Sequence, residues 1–155
     1  MYSNNTVLFN QIQHPEKGES IRTISQKSEV INRVNKEVIV STEQMHLQNR
    51  PETVLRLYDE LKENIFAISS DITLVPKRMY IAFIRKSNFV DVVPRKSDIQ
   101  LFLNLRQGTL NDPKKMARDI SNLGHHGNGD YEVKLNNRED IGYIMSLIRQ
   151  SYDKN

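Results

Sequence analysis

The sequence predicts an α+β domain: an antiparallel sheet of about four strands with helices packed on one face, preceded by an N-terminal arm. Three observations carry this expectation. Two windows, near residues 54–68 and 141–152, repeat apolar residues at spacings of three and four, the helical period. Three short runs rich in β-branched and aromatic residues follow the first window, separated only by polar breaks. The resulting order of helix, three strands, helix, strand, helix suits a sheet with its helices on one side.

Residues 1–48 read as an arm or linker. They are rich in Asn, Gln, Ser, Lys and Glu, with short apolar runs at Val7-Leu8-Phe9 and Val38-Ile39-Val40. A short helix over 26–36 could use Val30, Ile31 and Val34. The domain itself spans 49–155. Its first strong helix follows Asn49-Arg50-Pro51, since proline suits a first helical position, where its missing N–H has no partner to lose. Val54, Tyr58, Leu61, Ile65 and Ile68 form the apolar stripe, and the helix is expected to end near Ser69-Ser70-Asp71.

Strands are expected over 79–85, 89–94 and 99–105. Lys86-Ser87-Asn88 and Lys96-Ser97-Asp98 are short enough to be hairpin turns. Ile99, Leu101, Leu103 and Leu105 alternate with Gln100, Phe102 and Asn104, which gives one apolar face. A second helix is expected from Asn111-Asp112-Pro113, with Asp112 as N-cap and Met116 and Ile120 facing the core, stopping by Gly124. The stretch 124–129 reads as a loop. Tyr131, Val133 and Leu135 mark a fourth strand. Asn137 is the expected cap of the last helix, whose buried stripe is Ile141, Ile144, Met145, Ile148 and Tyr152.

Composition narrows the function classes. The 155 residues suit one domain and include no cysteine, which excludes disulfides, thiolate nucleophiles and Cys-ligated zinc. No apolar run approaches the roughly 18 residues of a membrane span. The N-terminus lacks the basic and apolar regions of a secretory signal, so a cytoplasmic location is expected. Net charge is +3, but the segment 77–118 holds ten Lys/Arg against Asp91, Asp98 and Asp112.

Each chemical motif is weighed against an ordinary structural role. His125-His126 lie near Asp130 and Glu132, yet a metal site needs three or four converging ligands, and adjacent loop histidines chelate one ion poorly. Gly124, Gly127 and Gly129 follow a helix and open a strand, the reverse of a phosphate loop. No metal and no cofactor is therefore expected. Asp130, Glu132 and Lys134 alternate along one strand, as a magnesium-dependent nuclease set would. A solvated strand face is the favoured reading, because alternation alone produces such sets, and the one upstream carboxylate in view is Asp91 on another strand. The basic residues fall at turns. Arg85, Lys86 and Arg106 should share one end of the sheet, and Lys77, Arg78, Arg95 and Lys96 the other. Arg85, Lys86, Arg95, Lys96 and Arg106 are the candidate contacts to nucleic acid.

Several words of the sequence carry a resemblance. They are Phe89-Val90-Asp91-Val92, Leu101-Phe102-Leu103-Asn104-Leu105, Asp112-Pro113 with Ala117-Arg118-Asp119, Gly127-Asn128-Gly129-Asp130-Tyr131-Glu132, and the ending 144–152. The stretch 43–152 resembles a domain of unknown function in bacterial and archaeal proteins. The resemblance implies a C-terminal part of longer proteins. Some of these are labelled "predicted transport protein", and their N-terminal part is similar to a restriction-type nuclease. Residues 1–48, with Thr23-Ile24-Ser25 and Asn35-Lys36-Glu37, resemble the connector. Where the family often has Trp after the loop histidine, this chain has His126. The sheet pattern and Ser-Tyr ending also resemble small double-wing α+β domains associated with DNA.

The expected function is a non-catalytic accessory binding module that contacts nucleic acid or a nuclease-like partner in a defence context. The alternatives are a metal-dependent nuclease remnant and a structural dimerisation domain that pairs through the N-terminal arm.

Overall fold

A computed structural model of the chain describes residues 40–155. The chain divides into two units, Met1–Val40 and Ser41–Asn155. The expected helix over 26–36, the run at Val7 and the arm-mediated dimer fall outside the described residues.

The second unit opens with helix α1 (Glu43–Leu47), capped by the Thr42 hydroxyl, which accepts from the Met45 N–H. The Glu43 carboxylate accepts hydrogen bonds from the Tyr58 hydroxyl (2.7 Å) and Lys62 (2.6 Å), tying α1 to helix α2 (Glu52–Phe66). Pro51 stands directly before α2, and Val54, Tyr58, Leu61 and Ile65 form its buried stripe. Ile68, expected on the same stripe, follows the helix and packs half-buried at the core margin.

The sheet has six strands, not about four. They are β1 (Thr73–Pro76), β2 (Ile81–Ile84), β3 (Asn88–Pro94), β4 (Ile99–Leu103), β5 (Arg118–Asp119) and β6 (Tyr131–Leu135). The order is β1-β2-β3-β4-β6-β5 with every neighbouring pair antiparallel. Strand β1 hides from sequence patterns because it is four residues long and ends on proline, which an edge strand tolerates. The expected strand from 79 begins at Ile81, since the Lys77 N–H bonds the Tyr80 carbonyl and makes residues 77–80 a turn.

The expected helix after Asp112 does not form. Gln150 pairs with both the N–H and the carbonyl of Asn111, at 2.9 Å each, and draws the backbone away from a helical start. Asp112 accepts from Ala117 N–H, five residues on, and from the Tyr143 hydroxyl, so it closes a loop where an N-cap would bond two or three residues ahead. Lys115 has a positive φ of 53°, which interrupts any helix. The chain instead runs to the two-residue strand β5 beside β6.

A 3₁₀ turn (Arg138–Asp140) leads into helix α3 (Ile141–Lys154), and Asn137 makes no side-chain capping bond. Helices α2 and α3 cover one face of the sheet. Leu101, Leu103, Tyr58, Leu61, Ile144 and Ile148 are each at most 1% exposed within one apolar cluster. The Ser-Tyr ending has a structural task. Ser151 donates to the Phe89 carbonyl at 2.6 Å in the interior, and the Tyr152 ring meets Phe89 edge to face at 5.3 Å.

Candidate functional site

The cross-strand register builds the other face of the sheet. Ala82 pairs with Asp91, Asp91 with Phe102, Phe102 with Glu132 and Glu132 with Arg118, which sets one row of side chains across five strands. The next row pairs Val93 with Gln100 and Gln100 with Lys134. No helix covers these rows among the described residues. The chain after β5 returns over them, with Ile120, Phe102 and Val93 packed as a small second apolar cluster beside Tyr80.

The returning loop, residues 123–130, is fitted closely to the sheet. A Cβ on Gly127 would collide with the Phe102 ring, and one on Gly129 with the Leu103 carbonyl. Gly129 also has φ +86°, so both positions need glycine, one for close approach and one for its backbone as well. The His125 ring stacks on Phe102 with centroids 5.7 Å apart. Beneath the loop, Asp91 is fully buried. It accepts hydrogen bonds from the Asn88 side chain (2.6 Å) and the Asn128 N–H (2.7 Å). Burial pushes its carboxyl up to about 6, against the Asn88 and Asn128 bonds and the nearby Lys77 charge, which hold it down.

Beside the loop lies a furrow made of two adjoining clefts. One, of about 250 Å³, is bordered by Arg95, Gln100, Phe102, Arg118, His126 and Glu132. The other, of about 360 Å³, is bordered by Met116, Arg118, Glu132, Lys134 and Asn136. Arg118 and Glu132 belong to both. Two hydrogen-bond steps order the floor. Arg95 donates twice to the Gln100 carbonyl oxygen (2.9 and 2.6 Å), and Gln100 donates to the buried Glu132 (2.8 Å). Arg95, Arg118 and Lys134 are exposed and form no ion pair among the described residues. The antiparallel turns add Lys77, Arg78 and Lys96 at the same end of the sheet as Arg95.

The other candidates scatter. Asp130 precedes β6 and turns to the opposite end, accepting from the Gln107 N–H at 2.7 Å, whereas Glu132 and Lys134 line the furrow. Asp91 and Glu132 share a face, but β4 and the Phe102 ring stand between them. That is two strand spacings, roughly 10 Å, beyond the reach of a shared metal ion. No group of three His, Asp or Glu side chains placed to hold a metal is present among the described residues. Arg85 is ion-paired with Asp71 (2.9 Å) and lies over the Tyr152 ring (4.6 Å). Lys86 is exposed at the same end. Arg106 borders a separate cleft of about 560 Å³ with Lys154 and Asp130.

Sequence reasoning missed Arg118 and the furrow role of Lys134. The signal that would have found them is the β5–β6–β4 register, which depends on a strand too short to show a pattern.

Fold and furrow together define an α+β domain with a basic groove on the sheet face that carries no helix among the described residues. The chain belongs to the family described as Domain of unknown function (DUF5655), which matches residues 43–155. It is 32% identical over 150 residues to an uncharacterized protein of Haemophilus influenzae, covering 97% of this chain and 50% of that protein. The chain thus spans about half the length of this relative. No solved structure matches it. No helix among the described residues is long and apolar enough to cross a membrane.

Proposed function

We propose that the chain is a non-catalytic accessory module that contacts nucleic acid through the furrow, beside a nuclease-like domain. One observation carries the reading: Arg95, Arg118 and Lys134 line a single path along an open sheet face and have no carboxylate partner among the described residues. Phosphate tracking requires Lys and Arg arranged along such a path. The nuclease-like neighbour is the context that the family resemblance implies, and a relative of twice the length leaves room for one.

The test is fluorescence anisotropy with labelled single-stranded and duplex DNA at stepped salt. Binding should weaken steeply with salt. Replacing Arg95, Arg118 and Lys134 together with Ala should lower affinity uniformly across sequences and reduce the salt slope by about one for each phosphate no longer neutralised. Lys86→Ala, at the other end of the sheet, should change little. Absence of binding at low salt would sink the reading. Magnesium-dependent cleavage of the probe, abolished by Glu132→Gln, would transfer it to the nuclease alternative.

A further inference from the structure

One wall of the furrow carries an exposed aromatic ring in a fixed orientation. His125 lies on Phe102 with the ring planes 18° apart and the centroids 5.7 Å apart. Its Nδ1 stands 2.9 Å from the Leu123 carbonyl oxygen and its Nε2 2.8 Å from the Gly129 carbonyl oxygen. With one face on Phe102 and both nitrogens engaged, the exposed ring offers its outer face to solvent. The backbone at Gly127 and Gly129 is pressed onto β4, which seats this platform on the sheet. A side chain already held in place loses little freedom when a ligand arrives.

The same cleft is bordered by Leu123, 47% exposed, and by Arg95 and Arg118. Aromatic and apolar surface therefore stands beside cations that have no carboxylate partner among the described residues. Phosphate by itself would use the cations and gain nothing from the ring or from Leu123. A nucleobase uses all of them, since its face stacks on a ring while its own strand brings phosphates to the neighbouring cations. Glu132 on the furrow floor disfavours phosphate directly above it and so directs the backbone to the exposed Arg95, Arg118 and Lys134. In a duplex each base face is covered by its neighbours in the stack, and a fixed ring meets only edges and phosphates.

We infer that the furrow takes single-stranded nucleic acid, with an unpaired base lying on the outer face of His125 beside Leu123 and the adjoining phosphates on Arg95, Arg118 and Lys134. The inference rests on the nucleic-acid reading of the furrow and adds which form of nucleic acid fits it.

Fluorescence anisotropy with the full chain compares labelled oligo(dT) with the oligo(dA)·oligo(dT) duplex of equal length. The single strand should bind about tenfold more tightly at moderate salt. Its advantage should widen as salt rises, because each neutralised phosphate carries a slope of about −0.7 on a single strand and about −0.9 on a duplex. His125→Ala should weaken oligo(dT) binding about tenfold, the share of one stacked base, and leave the salt slope unchanged. His125→Phe should bind oligo(dT) within about threefold of the wild type, since it keeps a stacking face. Both variants delete the contacts to the Leu123 and Gly129 carbonyls, so a ring that merely holds the loop would lower both alike. Leu123→Ser should weaken oligo(dT) binding about threefold through lost apolar contact and leave duplex binding unchanged. No binding of either probe at low salt would remove the nucleic-acid reading and this inference with it. Duplex binding as tight as single-strand binding, and weakened by replacing Arg95, Arg118 and Lys134, would keep that reading and overturn the single strand. A His125→Phe variant as weak as His125→Ala would overturn the stacked base.

Discussion

At the scale of single residues, the buried charge of Asp91 sets a pH dependence of stability whose sign can be worked out. Burial raises its folded value to about 6 from an ordinary 3.8. The folded state therefore holds the proton more tightly than the unfolded chain. The stabilisation this gives is complete below about pH 4 and is lost as pH rises through 6. Its size is on the order of 2–3 kcal/mol, since each tenfold change in proton affinity is worth about 1.4 kcal/mol. Urea unfolding of wild type and Asp91→Asn at pH 4 and pH 7 should show the variant gaining on the wild type by that order at the higher pH. A difference that stays constant would mean that Asp91 titrates alike in both states. The sequence shows Asp91 as an acid amid Phe89, Val90, Val92 and Val93, so its place on a strand is legible. Its burial is not, because the cover comes from a loop 37 positions further on.

Among the elements, those with long periods are legible in the sequence and those without are not. Helices α2 and α3 announce themselves by apolar stripes, β3 by its β-branched and aromatic run and β4 by alternation, with short polar turns between them. Leu103 sits where β4 meets both helices and is fully buried. Leu103→Ala should cost roughly 2–5 kcal/mol through lost transfer energy and the cavity left behind. Chemical denaturation checks this, and a loss below about 1 kcal/mol would show that the site collapses around the smaller residue. Strands β1 and β5 are four and two residues long, and neither is long enough to display a period. The segment 111–117 misleads for a different reason. Asp-Pro is a sound helix-start signal, but the side chains of Gln150 and Tyr143, far along the chain, satisfy this backbone and Asp112 in another conformation. Tertiary partners outweigh local propensity there, and with the helix goes the register that would have shown Arg118 beside Glu132.

For the molecule as a whole, the apolar core among the described residues draws on those from Leu47 onward, with Glu43 bonded to Tyr58 and Lys62 at its margin. A chain lacking residues 1–40 should therefore unfold in one cooperative transition followed by circular dichroism, and loss of that transition would place part of the first unit in the core. The candidate site is half legible at this scale. The basic bias of 77–118 is plain in the sequence. The meeting of Arg95, Arg118 and Lys134 on one face requires the strand order β3-β4-β6-β5, which no local pattern encodes. That same order has a consequence for how copies of the protein behave in crowded solution. Both margins of the sheet are poor templates: β1 finishes on Pro76, which has no N–H to offer, and β5 offers only the exposed, oppositely charged pair Arg118 and Asp119. Strand addition to a folded copy is therefore disfavoured at these two described margins, and aggregation of this domain is expected to be faster from partly unfolded chains.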